Sequence, residues 1–407
     1  MTTSTYSGFP KLRTLDSRPV LKDGRLFIAL RDPLRLTDKT ILIPQSIVPI
    51  LALCDGTRDA RGLSASLAIR LGLNIRIDEI KQLLTTLDEA FLLDNDRSAE
   101  AQDQARYEFR HAPFREPALA GQSYPADPDE LRDFLQGYLD KVDSMSILEN
   151  GRGLISPHID YARGGPVYAK VWGRAAEFVR AADIAVIFGT DHFGEEDQLT
   201  LTQQNYATPY GVLPTAHGVV EAIAKTVGEE ASFSGELRHR SEHSIELAAT
   251  WLHHIRGGQP CELVPILCGT FESFFGSEEN PENAPTIDQL ISTLRSATAG
   301  HQAIVIAAGD LSHVGPAFGG RPLDLVGRAR LQAADEELME LMCAGDAQKF
   351  FEAIRHVEDA NNVCGAVPIY LTIRFLDPIK GELIAYDRCP ADEQGNSLVS
   401  ICGVLFR

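Results

Sequence analysis

Residues 25–43 alternate short apolar runs, Leu26-Phe27-Ile28-Ala29-Leu30 and then Ile41-Leu42-Ile43, around the polar Arg31-Asp32-Pro33. That spacing predicts two strands. An apolar segment over residues 47–54 runs into Asp55-Gly56-Thr57 and predicts a helix closed by a turn. Further helical patterns cover residues 62–71 and 77–92, where Ile77, Ile80, Leu83, Leu84 and Leu87 share one stripe. Strands followed by three short helices predict a small winged-helix-like α+β unit. Residues 98–112 are polar and helix-prone, and are expected to form a linker helix with the domain boundary near residue 110.

Beyond that point the pattern changes. Apolar strand-like runs at 153–156, 184–188, 263–267, 304–307, 383–385 and 399–405 are separated by amphipathic segments. Those segments, at 130–142, 167–179, 242–254, 322–342, 347–357 and 365–375, predict covering helices. The alternation is that of an α/β domain with a largely parallel sheet. The expected organisation is therefore residues 1–110 and 111–407, with 277–283 a polar surface loop.

Composition narrows the function classes. The 38 basic and 57 acidic residues leave a net charge of −19, which repels nucleic-acid backbones and acidic membrane surfaces. No charge-free apolar run reaches the roughly 18 residues of a membrane span, and residues 1–20 lack the apolar core of a secretory signal. A cytoplasmic chain with no nucleic-acid or membrane partner is expected. Its 7 cysteines show no C-x-x-C spacing, which fits neither a disulfide framework nor a zinc ribbon.

Three apolar runs end alike: Ser156-Pro157-His158, Gly189-Thr190-Asp191-His192 and Gly309-Asp310-Leu311-Ser312-His313. In open α/β sheets the carboxyl ends of parallel strands share one edge, where ligands bind. The topology can therefore gather His158, His192 and His313. Asn361 or Asn362 is the expected cap of the helix that carries Ile369, Leu371 and Phe375, which puts Cys364 in its first turn, where thiolate is favoured. Imidazole and thiolate together suit iron, copper or zinc. His243, in Ser241-Glu242-His243-Ser244, opens another helix with Ser241 as the expected cap, and is a candidate acid or base. His111, His217, His239, His253, His254, His301 and His356 read as structural or solvent-facing. The competing assignments are satisfied loop histidines and a small buried core cysteine.

Taken in order, these motifs resemble the Memo family, known in prokaryotes as AmmeMemoRadiSam system protein B. The resemblance runs from about Ala118 to the end of the sequence. It is carried by Ala120-Gly121-Gln122-Ser123-Tyr124-Pro125, Pro157-His158-Ile159-Asp160-Tyr161, Gly189-Thr190-Asp191-His192, Glu242-His243-Ser244-Ile245-Glu246, Gly309-Asp310-Leu311-Ser312-His313 and Cys364-Gly365 with Pro368. It implies the fold of the class III extradiol (LigB-type) dioxygenases, whose iron is held by two His and one Glu. By this match His158, His192 and Cys364 are the metal ligands, with Fe2+ the first metal and copper or zinc alternatives. Asp310, His313 and His243 would orient ligands or move protons. The chain departs from the family at Phe193, where a second His is common, and at Ala366, where Arg is usual.

The N-terminal unit is similar to PqqD-like winged-helix domains, through residues 50–57 and 60–94. That similarity implies docking of a peptide or a radical-SAM partner protein. The helix over 60–71 has only Arg61 and Arg70 as basic residues, which argues against DNA. Three functional readings follow. One is a dioxygenase-like, metal-dependent oxidoreductase acting on a small molecule with a radical-SAM-associated system. Another is a non-catalytic adaptor with a metal-holding pocket. The last is a cysteine hydrolase pairing Cys364 with His313 or His243.

Overall fold

The structure is a computed structural model that describes residues 6, 8–142, 147–275, 277 and 279–407. The chain forms two compact units, Met1–His111 and Ala112–Arg407.

The first unit starts with an antiparallel sheet in the order β1 (Asp16–Lys22), β2 (Arg25–Arg31), β3 (Ile41–Pro44). The pattern predicts the last two. β1 escapes it because Asp16–Lys22 is polar and exposed, although Asp23-Gly24 marks the hairpin. Both turn residues take left-handed φ, 51° and 71°, as a tight two-residue hairpin requires. Four helices follow: α1 (Pro49–Leu53), α2 (Ala60–Leu71), α3 (Ile77–Glu89) and α4 (Asp96–His111). Asp59 caps α2 by accepting from Gly62 N, and Gly72 closes it in the left-handed region. Leu63, Leu67, Leu84 and Leu87 are fully buried with Leu30 and Ile43, each contributing about 1.5–3 kcal/mol.

In the second unit the elements are α5 (Pro128–Leu139), β4 (Gly153–Ser156), α6 (Tyr161–Ala181), β5 (Ile184–Thr190), β6 (Leu199–Leu201), β7 (Tyr206–Thr208), β8 (Gly211–Leu213), α7 (His217–Val227), α8 (Glu229–Ser234), α9 (Ser244–Ile255), β9 (Glu262–Cys268), α10 (Glu272–Phe275), α11 (Pro285–Ala297), β10 (Ala303–Ala308), β11 (His313–Val314), α12 (Leu325–Ala344), α13 (Ala347–His356), α14 (Ala366–Leu376), β12 (Gly381–Pro390) and β13 (Leu398–Phe406). In the predicted loop at 277–283, Pro281–Asn283 forms a single 3-10 turn, and Glu278 lies outside the described residues.

The main sheet runs β11-β13-β4-β10-β5-β9-β6, with β12 also paired to β13. β4, β10, β5 and β9 are mutually parallel, whereas β13 and β6 join them antiparallel. This is the expected α/β class with a largely parallel centre. The central strands are apolar on both faces, as a sheet covered on both sides must be. Ile184, Val186 and Phe188 face the core shared with α7, α11, α13 and α14, while Ala185 and Ile187 face that shared with α5, α6 and α9. Because β10 inserts between β4 and β5, the carboxyl ends that precede His158, Asp310 and His192 lie on three adjacent strands. Among the described residues no helix is long and apolar enough to cross a membrane.

Candidate metal centre

Each strand end is fixed by its neighbour. Asp310, leaving β10, turns its carboxylate back onto the loop after β4: Oδ1 accepts from His158 N at 2.8 Å and from Ile159 N at 3.3 Å. The His158 ring is buried, and its Nδ1 lies 3.0 Å from the carbonyl of Ala308. A carbonyl only accepts, so Nδ1 carries the proton of that bond and Nε2 faces the site. There Nε2 meets Cys364 Sγ at 3.2 Å.

Cys364 reaches this point because two glycines let β10 and α14 approach. A Cβ on Gly309 would lie 2.5 Å from Gly365 Cα, and one on Gly365 would lie 2.5 Å from Asp310 O. Thr190 Oγ1 holds the carbonyl of Cys364 at 2.9 Å. The expected cap is not what forms. Gly365 occupies the N-cap position of α14 with no side-chain cap bond, Asn362 takes left-handed φ, and Asp359 accepts from Val363 N instead. Cys364 therefore precedes the helix, outside its first turn.

His192, exposed just beyond the end of β5, is held by Glu242. The carboxylate accepts from His192 N at 3.1 Å and from Nδ1 at 3.0 Å, which leaves Nε2 free to face Cys364. Glu242 also accepts from His243 N at 2.7 Å and Ser244 N at 3.0 Å. It caps α9 itself, in place of the expected Ser241, because those orphan N–H groups fall within reach of its own side chain. His243 then stands at the N-cap position, its Nδ1 3.0 Å from Glu242 and its ring stacked on His192 at 4.8 Å. In the sequence Glu242 stands out only as a member of the Glu242-His243-Ser244-Ile245-Glu246 motif. The signal was its place one residue before His243, opposite a strand-end histidine.

Two overlapping donor groups result, each with all its ligand atoms within 4.8 Å of one another: His158, His192 and His243; and His158, Asp310 and Cys364. His158 belongs to both. His313 is turned aside, with Nδ1 3.1 Å from Leu311 O and 3.2 Å from Asn362 O and its ring edge-on to Phe318. It belongs to neither group and acts on Cys364 only through charge.

The electrostatics favour an ionised cluster. Burial opposes a charged thiol, but His158 and His313, with hydrogen bonds from His158 and His192, hold Cys364 well below the ordinary thiol range. Burial likewise opposes a charged His158, yet Cys364 and Asp310 raise it to about 9. Glu242, buried, is kept well below the usual carboxylate range by His192 and His243.

Residues 115–404 match the family model described as Memo-like protein. The chain belongs to that family. Relatives of this Memo-like chain are named MEMO1 family proteins. That of Aquifex aeolicus is 27% identical over 403 residues, 98% of this chain and 99% of the relative. The Archaeoglobus fulgidus relative is 24% identical over 294 residues, 72% of this chain and 100% of its own length. One from Methanocaldococcus jannaschii is 30% identical over 213 residues, half of this chain and 70% of the relative. The Aquifex similarity thus spans both units, whereas the whole Archaeoglobus protein accounts for under three quarters of the chain.

Proposed function

We propose that the second unit binds a transition-metal ion, Fe2+ in the first place, through His158, His192 and Cys364, and serves as a dioxygenase-like oxidoreductase. The observation that carries this reading is the shared orientation of the donors. His158 Nδ1 is committed to a carbonyl and His192 Nδ1 to a carboxylate, so both Nε2 atoms face one thiol. A carboxylate or carbonyl behind a histidine is the usual support of a metal-binding imidazole. The donor set therefore fits iron, copper or zinc, all of which accept imidazole with thiolate. Such an ion, when bound, would supply Lewis-acid or one-electron chemistry.

The chain's own residues would do the rest. Asp310 fixes the backbone of His158, and Glu242 orients His192. His243, partly exposed beside His192 and bonded through Nδ1 to Glu242, can hold or deliver a proton at the cleft mouth. In this proposal the first unit docks a peptide or a radical-SAM partner, a role supported by its resemblance to PqqD-like domains.

Metal analysis of protein purified without chelators tests the assignment. The parent should retain iron or copper, and His158→Ala, His192→Ala and Cys364→Ala should each lose most of it. Equal metal content in all four would overturn the site. Oxygen uptake by the loaded parent with catechols or small thiols then tests the oxidoreductase reading, and tight metal binding without uptake would favour a metal-holding adaptor.

A further inference from the structure

A continuous run of aromatic rings crosses the second unit from the strand ends to the surface. Tyr161 and Tyr168, two turns apart on α6, meet edge-on at 5.1 Å. Trp251 of α9 stacks on Tyr168 at 5.8 Å with ring planes 8° apart. It also meets His254 at 5.7 Å, and His254 lies 5.8 Å from Tyr210. At the inner end Tyr168 Oη donates at 3.0 Å to the carbonyl of Ile159, the residue after His158. At the outer end the half-buried Tyr210 lines a cavity of about 190 Å3 with Arg132, Arg180 and Gly258.

Apolar packing accounts for the ring bodies but not for their polar ends. Trp251 is fully buried, and its Nε1 has no hydrogen-bond partner among the described residues. An orphaned buried N–H is costly, and a redox role is among the reasons such a group persists. We propose that Tyr168, Trp251 and Tyr210 form a one-electron relay: an oxidant derived from dioxygen at the strand-end site takes an electron from Tyr168, Trp251 re-reduces Tyr168, and Tyr210 re-reduces Trp251.

The proton partners set the direction. Tyr161 and Tyr168 donate to the peptide carbonyls of Leu247 and Ile159, which do not act as bases, and Trp251 has no acceptor among the described residues. A ring oxidised there keeps its proton and remains strongly oxidising. Tyr210 Oη instead lies 3.0 Å from Nδ1 of His254. Burial and Arg132 lower His254 to about 4, so the imidazole is neutral near pH 7 and Nδ1 accepts when the ring proton is on Nε2. Tyr210 gives one electron to the oxidised indole of Trp251, which returns to its resting state. The phenol proton passes to His254 Nδ1, leaving a neutral tyrosyl radical beside an imidazolium that opens to solvent. Tyr124, 5.6 Å from Tyr161, is a dead end: its partner Glu246 is already engaged by Arg115 and by the N–H groups of Ala118 and Leu119. Oxidation thus ends on the half-buried phenol of Tyr210 instead of on Cys364.

The direction of the relay rests on the redox reading above, but its test needs no metal. Laser photoionisation of the metal-free protein ejects an electron from tryptophan, which dissolved oxygen takes up as superoxide. The tryptophanyl absorption should then decay as tyrosyl absorption rises, at a first-order rate independent of protein concentration. Tyr210→Phe should remove most of the tyrosyl signal, and Tyr124→Phe should leave it unchanged. A Trp172→Phe background isolates Trp251 as the source. If that variant does not fold, the parent and Tyr210→Phe are compared with both tryptophans present, since Tyr210→Phe removes only a half-buried hydroxyl. An undiminished tyrosyl yield in Tyr210→Phe, or a loss in Tyr124→Phe instead, overturns the relay. Metal analysis is unaffected by either result, so the two readings fail separately.

Discussion

Glu242 accepts from three backbone N–H groups and from His192 Nδ1, and its one carboxylate also lies against His243 Nδ1. Glu242→Gln keeps the shape but loses the charge that orients His192. Metal affinity should fall about 10–100-fold, read by competition with a metal-indicator dye, while the circular dichroism stays that of the parent. The paired His158 and Cys364 predict a distinctive pH profile in the metal-free protein. His158, raised to about 9, stabilises the fold fully below its unfolded value of about 6.5, and that contribution is lost as pH rises through about 9. Cys364 is depressed, so its contribution is present above the unfolded thiol value of about 8.5 and fades as pH falls. Between those limits folding moves the proton from sulfur to nitrogen without net uptake. Urea midpoints should show the parent's advantage over Cys364→Ser greatest between about pH 6.5 and 9 and smaller on both sides. An advantage that changes steadily in one direction would contradict the ion pair. At this scale the sequence disclosed the residue types but not their partners. His313 reads as equivalent to His158 and His192, yet its ring is taken by two carbonyls, and nothing local in Leu311 or Asn362 announces that.

β4, β5, β9, β10 and β13 were legible because burial on both faces makes them short continuous apolar runs, while the partly exposed β12 shows only through its Leu383-Ile384-Ala385 stretch. Their order in the sheet was not legible, since β10 enters between β4 and β5 by a crossover that no local signal marks. β6, β7, β8 and β11, two or three residues each, are too short to show a period. The starts of α9 and α14 both differ from expectation. Glu242, beside Ser241 in the sequence, takes the N–H groups that open α9, whereas α14 begins at Gly365 with no side-chain cap and Asp359 accepts from Val363 N ahead of it. The approach of β10 to α14 depends on having no side chain at the crossing. Gly309→Ala should cost about 1–3 kcal/mol in urea unfolding, because the new methyl meets Gly365 Cα. It should also weaken metal retention by moving Cys364 from His158. Unchanged stability and metal content together would show that the crossing is loose.

Across the whole chain the two units have separate cores, and the donor residues all belong to the second. The Archaeoglobus relative, similar along its entire length to 72% of this chain, points the same way. Residues 112–407 expressed alone should fold cooperatively and retain metal, with a melting temperature that falls on chelation. Insolubility or loss of metal on truncation would mean that the first unit completes the site. The central claim, that two imidazoles and a thiolate hold the metal, is tested most directly by X-ray absorption at the iron edge of protein loaded anaerobically with Fe2+. One sulfur and two imidazole nitrogens are expected among the nearest scatterers, with the sulfur lost in Cys364→Ser. A shell of nitrogen and oxygen alone in the parent would contradict it and assign the ion to His158, His192 and His243.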